Sequence, residues 1–224
     1  MRTFVLKDEK GEPDRRKRRK NKAIRLSNVA IHYDLLSRNQ FFSLTPHLVD
    51  VYIAAMEYDP SIKKQRVLHW HKDSMEPGFH AILAHDDTSI LGIAYGYRAT
   101  THHWWGAEID RGIAQFYTEK GMSDHEFLIR KKILNSFFEL AEIHVAPQAQ
   151  GQGIGQELFT RLACCANKIN AKHLLLSTPE VPAENNAAFR LYRRLGCTDF
   201  LRHFLFTGDN RPFAILHTPL PLDY

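Results

Sequence analysis

One stretch in the second half of the chain, residues 142–158, constrains the fold most strongly. It reads EIHVAPQAQGQGIGQEL, which is an apolar run, a glycine-rich turn and the start of an amphipathic pattern, and so predicts a buried strand, a tight turn and a helix. The first N–H groups of a helix have no intrahelical partner, and the helix dipole adds about half a positive charge there. The turn therefore predicts an anion site, because Gly151, Gly153 and Gly155 let a phosphate approach the backbone.

The spacing of these glycines differs from that of the two commonest phosphate-binding loops. A nucleoside-triphosphatase loop ends in Gly-Lys-Ser/Thr, whereas Gln156 and Glu157 follow the last glycine here. A dinucleotide-binding loop requires G-x-G-x-x-G after an early strand, and this chain has G-x-G-x-G beyond its midpoint. The turn therefore belongs to neither class.

Two segments carry known motifs in order along the chain. The first is Gln/Arg-x-x-Gly-x-Gly/Ala, present as Gln150, Gly153 and Gly155. The second lies in residues 185–197, NNAAFRLYRRLGC, and matches N-x-x-A-x-x-L-Y-x-x-x-G-F except at Cys197, where phenylalanine is usual. On these residues the chain resembles the GNAT superfamily of acyl-CoA-dependent N-acetyltransferases. The resemblance is close from the predicted central strand onward and holds only in outline for the first half.

The resemblance implies both a fold and a co-substrate. The fold is α/β (α+β), with a mixed, mostly antiparallel central sheet flanked by helices and splayed where the strand ending at Val145 meets the strand from Lys172. Acetyl-CoA enters this gap as co-substrate, and no metal is needed. Asn185 is also expected to cap its helix. The residues expected to bind acetyl-CoA are Ile143, His144, Val145, Gln150, Gly151, Gln152, Gly153, Ile154, Gly155, Gln156, Asn185 and Tyr192.

The implied chemistry is direct transfer of the acetyl group to a primary amine. Because a lysine amine has a pKa near 10.4, it must lose a proton before attack. Glu139 and Glu142 are the candidate bases, and strand alternation is expected to point them to opposite faces; Glu139 is slightly favoured. Tyr192 is expected to protonate the departing thiolate, although a buried tyrosine can equally be core. The resemblance also assigns the Val145 N–H to the oxyanion.

The amine acceptor stays open at this stage. A protein lysine, a protein amino terminus and a small polyamine or antibiotic are all candidates. Trp104 and Trp105 form either a wall of the acceptor pocket or half-buried packing. Two other functions are alternatives: a non-catalytic acyl-CoA sensor whose basic arm contacts nucleic acid, and a protein that only binds nucleic acid.

The positive charge is concentrated near the amino terminus. The formal charge is +5, but residues 15–22, RRKRRKNK, hold seven basic groups, which leaves −2 on the rest. Like charges repel, so we expect residues 1–40 to be a basic, partly disordered extension and residues 41–224 to be the GNAT-like acetyltransferase domain. Nucleic-acid contact through residues 15–22 is the alternative to a solvated arm.

Composition limits the remaining classes. With 224 residues, 44% of them hydrophobic, the chain has enough material for one main domain. Its three cysteines show no pairing pattern, no apolar run reaches the ~20 residues of a membrane span, and the first residues lack a signal peptide. We therefore expect a cytoplasmic protein with no membrane partner; its oligomeric state is open, a homodimer included. The histidines at 69, 71, 102 and 103 fit no metal template.

Local patterns predict the remaining elements. Thr45 and Pro46 resemble a helix N-cap and its first position, preceded by a short strand. The predicted strands are 41–45, 79–85, 89–97, 137–145, 172–178, 199–207 and 212–217. The predicted helices are 46–58, 61–72, 108–117, 125–134, 154–169 and 185–195.

Overall fold

A seven-stranded sheet forms the centre of the structure, a computed structural model that describes residues 30–222. The strand order is β1-β2-β3-β4-β5-β7-β6, and every neighbouring pair is antiparallel except β4–β5. The mixed, mostly antiparallel sheet is therefore confirmed. The strands are β1 His32–Leu36, β2 His80–His85, β3 Ile90–Ala99, β4 Phe137–Val145, β5 His173–Pro179, β6 Thr198–Phe204 and β7 Phe213–Pro219.

The parallel pair β4–β5 parts soon after it begins. Only Phe138 with Leu174 and Glu139 with Leu175 are in register, although β4 continues to Val145. From Leu140 onward, β4 therefore pairs with β3 but with no described strand on the β5 side. This is the predicted splay, and it opens the middle of the sheet.

Helices cover both faces of the sheet within the described residues. They are α1 Arg38–Met56, α2 Lys63–Asp73, α3 Trp104–Glu119, α4 Asp124–Leu134, α5 Ile154–Lys168 and α6 Ala187–Arg194. On one face, a Cβ added at Gly92 of β3 would meet Leu158 and Ile154 of α5. On the other, Tyr95 of β3 packs against Phe41 of α1 and Trp70 of α2, with ring centroids 5.2 and 5.1 Å away.

The start of α1 differs from the prediction. Residues 41–45 are helical rather than a strand, and the helix begins at Arg38, where Ser37 and Gln40 form a capping box. Pro46 lies inside the helix and cannot donate to the Phe42 carbonyl. The imidazole of His71 on α2 contacts that carbonyl at 3.1 Å, so the lost bond is replaced from another helix. Residues 32–40, assigned to the extension, thus include β1 and the start of α1, whereas the basic run 15–22 lies outside the described residues.

A β-bulge interrupts the pairing of β3 with β4. Gly96 is opposite Leu140 and Tyr95 is opposite Glu142, so Ala141 has no partner in β3. One extra residue reverses the in–out alternation beyond it. The prediction that Glu139 and Glu142 point to opposite faces is therefore wrong: both carboxylates interact electrostatically with Asp73 of α2.

Candidate active site

The glycine turn joins the end of β4 to the start of α5. Gly151 and Gly153 have φ of 79° and 81°, a left-handed conformation that glycine adopts without strain, and Gly153 is the N-cap of α5. A Cβ added at either glycine would meet no atom of the described residues within 4 Å. The backbone is therefore open to a ligand where the first N–H groups of α5 have no intrahelical partner.

A cavity of about 380 Å³, here called the glycine cavity, lies over this turn. It extends from β4 to α6 and includes Ala55 and Met56 of α1. Of the residues predicted to bind acetyl-CoA, those that line it are Ile143, His144, Val145, Gln150, Gly151, Gly153, Ile154, Gly155, Gln156 and Tyr192. Gln152 and Asn185 do not line it. The capping prediction for Asn185 is wrong, because Asn186 accepts the Phe189 N–H at 2.8 Å and is the N-cap of α6.

Two arginines face the glycine cavity from α6. Arg190 and Arg194 lie four residues apart and both line it. Arg193, between them, is instead held by the carboxylates of Glu184 and Asp199. Within residues 30–222, neither Arg190 nor Arg194 has a carboxylate partner, and Arg190 makes one bond of 3.2 Å, to the Asn185 side chain. The cavity therefore offers cations to an anionic ligand opposite the glycine turn.

Tyr192 stands where this cavity meets a second one. It lines both cavities, and no described residue hydrogen-bonds its hydroxyl. Burial, with Cys197 and Glu142 nearby, raises the pKa of Tyr192 above its ordinary value. The hydroxyl therefore stays protonated near neutral pH and can act as a proton donor.

The second cavity, of about 660 Å³, is here called the aromatic cavity. Trp104 and Trp105 both line it. Trp105 is buried and donates its indole N–H to the Ser177 hydroxyl at 3.2 Å, whereas Trp104 is 63% exposed and stacks on Phe206 with centroids 5.6 Å apart. Trp105 therefore packs in the core and also lines the cavity, whereas Trp104 presents an exposed aromatic surface.

A glutamate–histidine pair lies on the wall shared by the two cavities. Glu142 lines the aromatic cavity, and His144 lines both. The His144 Nε2 is 2.6 Å from the Glu142 Oε2, and the Trp70 indole N–H donates to the Glu142 Oε1 at 3.3 Å. In the tautomer whose Nε2–H donates to Glu142, the Nδ1 of His144 has a lone pair that can accept a proton.

Glu139 lies away from both cavities. It is 6% exposed and lines neither, and its Oε2 has no hydrogen-bond partner among the described residues. Burial, reinforced by the Asp73 carboxylate, raises the pKa of Glu139 to about 8, although a hydrogen bond from Tyr97 opposes the shift. Of the two predicted bases, only Glu142 therefore reaches a cavity.

His144 is a candidate proton acceptor that the sequence reasoning missed. It had been assigned only to acetyl-CoA binding, as a neighbour of the glycine turn. The signal that could have identified it is the Glu-x-His spacing of residues 142 and 144, which puts both side chains on one face of a strand.

The described residues contain no group of three or more His, Cys, Asp or Glu side chains placed to hold a metal ion. Within residues 30–222, no helix combines the length and the apolar character needed to cross a membrane.

Comparison with known proteins identifies the family. The sequence profile of the GNAT acetyltransferase domain matches residues 100–196. The GCN5-like protein acetyltransferase Rv2170 of Mycobacterium tuberculosis (strain ATCC 25618 / H37Rv) is 35% identical over 194 residues, which cover 77% of this chain and 89% of the relative.

Solved structures share the fold at low sequence identity. The yncA protein of Salmonella typhimurium, solved with its cofactor acetyl-CoA, is 17% identical and superposes with a TM-score of 0.51 over 85% of this chain and 94% of that one. The polyamine N-acetyltransferase of Drosophila melanogaster is 15% identical, with a TM-score of 0.54 over 85% of this chain and 100% of that one. The chain belongs to the GNAT family of acetyltransferases, with acetyl-CoA as acyl donor.

Proposed function

We propose that this enzyme transfers the acetyl group of acetyl-CoA to a primary amine, the side chain of a lysine in a protein. The observation that carries the proposal is that the two cavities meet at His144 and Tyr192. The glycine cavity offers backbone N–H groups and arginines to phosphates, and the aromatic cavity offers a carboxylate–imidazole pair to an amine. An acyl donor and an acceptor entering from opposite sides would thus meet beside a base and an acid.

In this proposal the His144 Nδ1 accepts the proton of the attacking amine. Glu142 holds the Nε2–H, fixes the tautomer and stabilises the imidazolium that forms, as a carboxylate does for a catalytic histidine. Histidine suits this step because its ordinary pKa lies near neutral pH, whereas that of a glutamate is near 4.3. Glu142 is therefore a positioning residue and His144 the base.

A backbone N–H at the splay and the Tyr192 hydroxyl supply the oxyanion donor and the acid. The Ala146 N–H bonds to the Leu91 carbonyl on the β3 side, so the preceding N–H, that of Val145, is directed to the edge facing β5. No described strand pairs there, which leaves this N–H for the oxyanion that forms when the amine adds to the thioester carbonyl. As the carbon–sulfur bond breaks, the Tyr192 hydroxyl gives its proton to the thiolate.

A protein lysine is favoured over a free small amine for two reasons. Rv2170, which is 35% identical over 77% of this chain, carries the name of a protein acetyltransferase. The rim of the aromatic cavity includes Trp104, which is 63% exposed and stacked on Phe206, a surface suited to the aliphatic stem of a lysine and to neighbouring peptide.

The test is acetylation of lysine peptides with acetyl-CoA by the wild type and by His144→Gln. Because general base catalysis contributes typically 10² to 10⁴ in rate, we expect kcat to fall at least about 100-fold in the variant. Tyr192→Phe should lower kcat at least about tenfold with little change in the affinity for acetyl-CoA. His85→Gln is the matched control: His85 bonds Asp34 at 3.0 Å, lines neither cavity, and should leave kcat unchanged.

The same assay separates the alternatives. Tight binding of acetyl-CoA without turnover on any amine would indicate an acyl-CoA sensor instead of an enzyme acting on lysine. Acetylation of spermidine or of amino-terminal peptides in preference to lysine would move the proposal to that acceptor. An unchanged kcat in His144→Gln would remove the assigned base.

A further inference from the structure

Arg66 of α2 is a partly buried guanidinium on the wall of the aromatic cavity. Its Cζ lies 4.8 Å from the centroid of the Tyr52 ring, and its side chain is 32% exposed. The nearest carboxylate oxygen is the Glu142 Oε1, 3.5 Å from Nη1, longer than a normal hydrogen bond. Within residues 30–222 no acceptor hydrogen-bonds Arg66, so its donors are available on the cavity side.

Arg211, the other described arginine that lines this cavity, is paired with a carboxylate. Its guanidinium donates to both oxygens of the Asp209 carboxylate, from Nη2 at 2.6 Å and from Nε at 3.0 and 3.2 Å. Glu142 does not serve Arg66 in the same way: its Oε1 lies 3.5 Å from Nη1 and accepts the Trp70 indole N–H, and its Oε2 pairs with His144. Among the described residues, Arg66 is therefore the one arginine lining the aromatic cavity whose charge is not matched by a hydrogen-bonded carboxylate.

Partly buried charges without hydrogen-bonded partners are costly, and arginine matches a carboxylate with two parallel donors. We propose that Arg66 binds a carboxylate of the acceptor, so that the enzyme selects lysines with an aspartate or glutamate close by in the chain. This inference rests on the proposed function, because it describes the acceptor of the same site. The lysine amine would approach His144 while the acidic neighbour pairs with Arg66.

A carboxylate fits better than a phosphate. Glu142 lies 3.5 Å from the same guanidinium, and a second anion at Arg66 must tolerate this negative neighbour. A group with one charge meets less repulsion there than a phosphate carrying nearly two. Opposite charges side by side on the enzyme, Glu142 and Arg66, complement an acceptor with an amine beside a carboxylate.

The experiment compares kcat/KM for three peptides that differ only beside one lysine. The flanking positions carry aspartate, asparagine or phosphoserine. For the wild type we expect kcat/KM for the aspartate peptide to exceed that for the asparagine peptide at least tenfold, mainly through KM. In Arg66→Gln this ratio should fall to near one. Arg66→Lys keeps the positive charge but not the two parallel donors, so it should retain part of the ratio. Arg161→Gln, which removes an arginine outside both cavities, should keep the full ratio.

Each other outcome has a definite meaning. A wild-type ratio near one, a full ratio in Arg66→Gln, or a preference for phosphoserine would overturn the inference and leave the proposed function intact. An equal loss on the aspartate and asparagine peptides in Arg66→Gln would also overturn it, because Arg66 would then only support Glu142. If the wild type acetylated none of the peptides, the proposed function itself would be wrong, and this inference with it.

Discussion

Replacing Glu139 by glutamine should remove the loss of stability that its carboxyl contributes between pH 5 and pH 8. Glu139 is 6% exposed, and burial, together with Asp73, raises its pKa from 4.5 to about 8. The folded protein therefore keeps a proton on this group that the unfolded chain releases above about pH 4.5. Because the folded state binds more protons in this window, the free energy of unfolding decreases as pH rises.

The size of the effect follows from the two pKa values. Each unit of difference corresponds to about 1.4 kcal/mol, so between pH 5 and pH 8 the wild type should lose about 3 kcal/mol through this group alone. Glutamine cannot ionise and can still accept the Tyr97 hydrogen bond. Glu139→Gln should thus match the wild type near pH 5 and exceed its stability by about 3 kcal/mol at pH 8. Burial also raises the pKa of Asp73 and lowers that of His217 to about 4, so the variant keeps a pH dependence of its own, and the test is the difference in slope between the two proteins.

Urea unfolding at pH 5, 6, 7 and 8 measures this slope directly. Glu180→Gln is the matched control, since its side chain is also only 7% exposed. Burial alone would raise the pKa of Glu180, but hydrogen bonds from the His203 N–H and the Arg202 guanidinium outweigh burial and lower it. That variant should lose stability at all four pH values without changing the slope. Equal slopes in the wild type and Glu139→Gln would refute the reasoning, and a loss of kcat in Glu139→Gln would return this residue to the list of candidate bases.

Three further changes test other parts of the structure. Arg194→Gln should raise the Kd for acetyl-CoA about tenfold in calorimetric titration, because it removes a charge-assisted bond to phosphate; an unchanged Kd would exclude Arg194 from the phosphate site. Trp70→Phe should lower kcat about three- to tenfold without changing that Kd, because the Glu142 Oε1 loses its indole donor, and an unchanged kcat would contradict this role. Gly96→Ala should lower the free energy of unfolding by about 3 kcal/mol or more in urea, because the new Cβ would lie 2.1 Å from the Glu139 carbonyl oxygen; a stability like that of the wild type would contradict the register at the bulge.

The parts of the fold that the sequence predicts correctly are those decided locally. The order of central strand, glycine turn and amphipathic helix α5 depends on residues within one short stretch, and it is found as expected. The start of α1 depends on residues outside its own local pattern. Residues 41–45 are compatible with a strand by local pattern, but Ser37 begins a helix before them and His71, 29 residues after Phe42, contacts the carbonyl that Pro46 leaves free.

The candidate site shows the same division between local and distant causes. The glycine turn is predicted from its own residues, and most residues assigned to acetyl-CoA do line the glycine cavity. The aromatic cavity instead draws residues from α1, α2, α3 and the segment before β7, and no pattern within one segment brings them together. Arg66 and Trp70, which contact Glu142 from α2, are therefore outside the reach of motif reasoning.

The bulge at Ala141 determines that Glu142 and His144 face the aromatic cavity. With regular alternation from Glu139, residues 141 and 143 would share its face, while Glu142 and His144 would point toward α5, where Leu158 and Ile154 pack on the sheet. Two ionisable groups in that apolar interface would be costly. The extra residue turns both side chains to the α2 face, where Trp70 and Arg66 meet Glu142. Gly96 allows this register, since any larger residue there would strike the β4 backbone. The position of the Glu142–His144 pair therefore depends on Gly96 in the neighbouring strand, and Glu139 remains in the core as a buried acid.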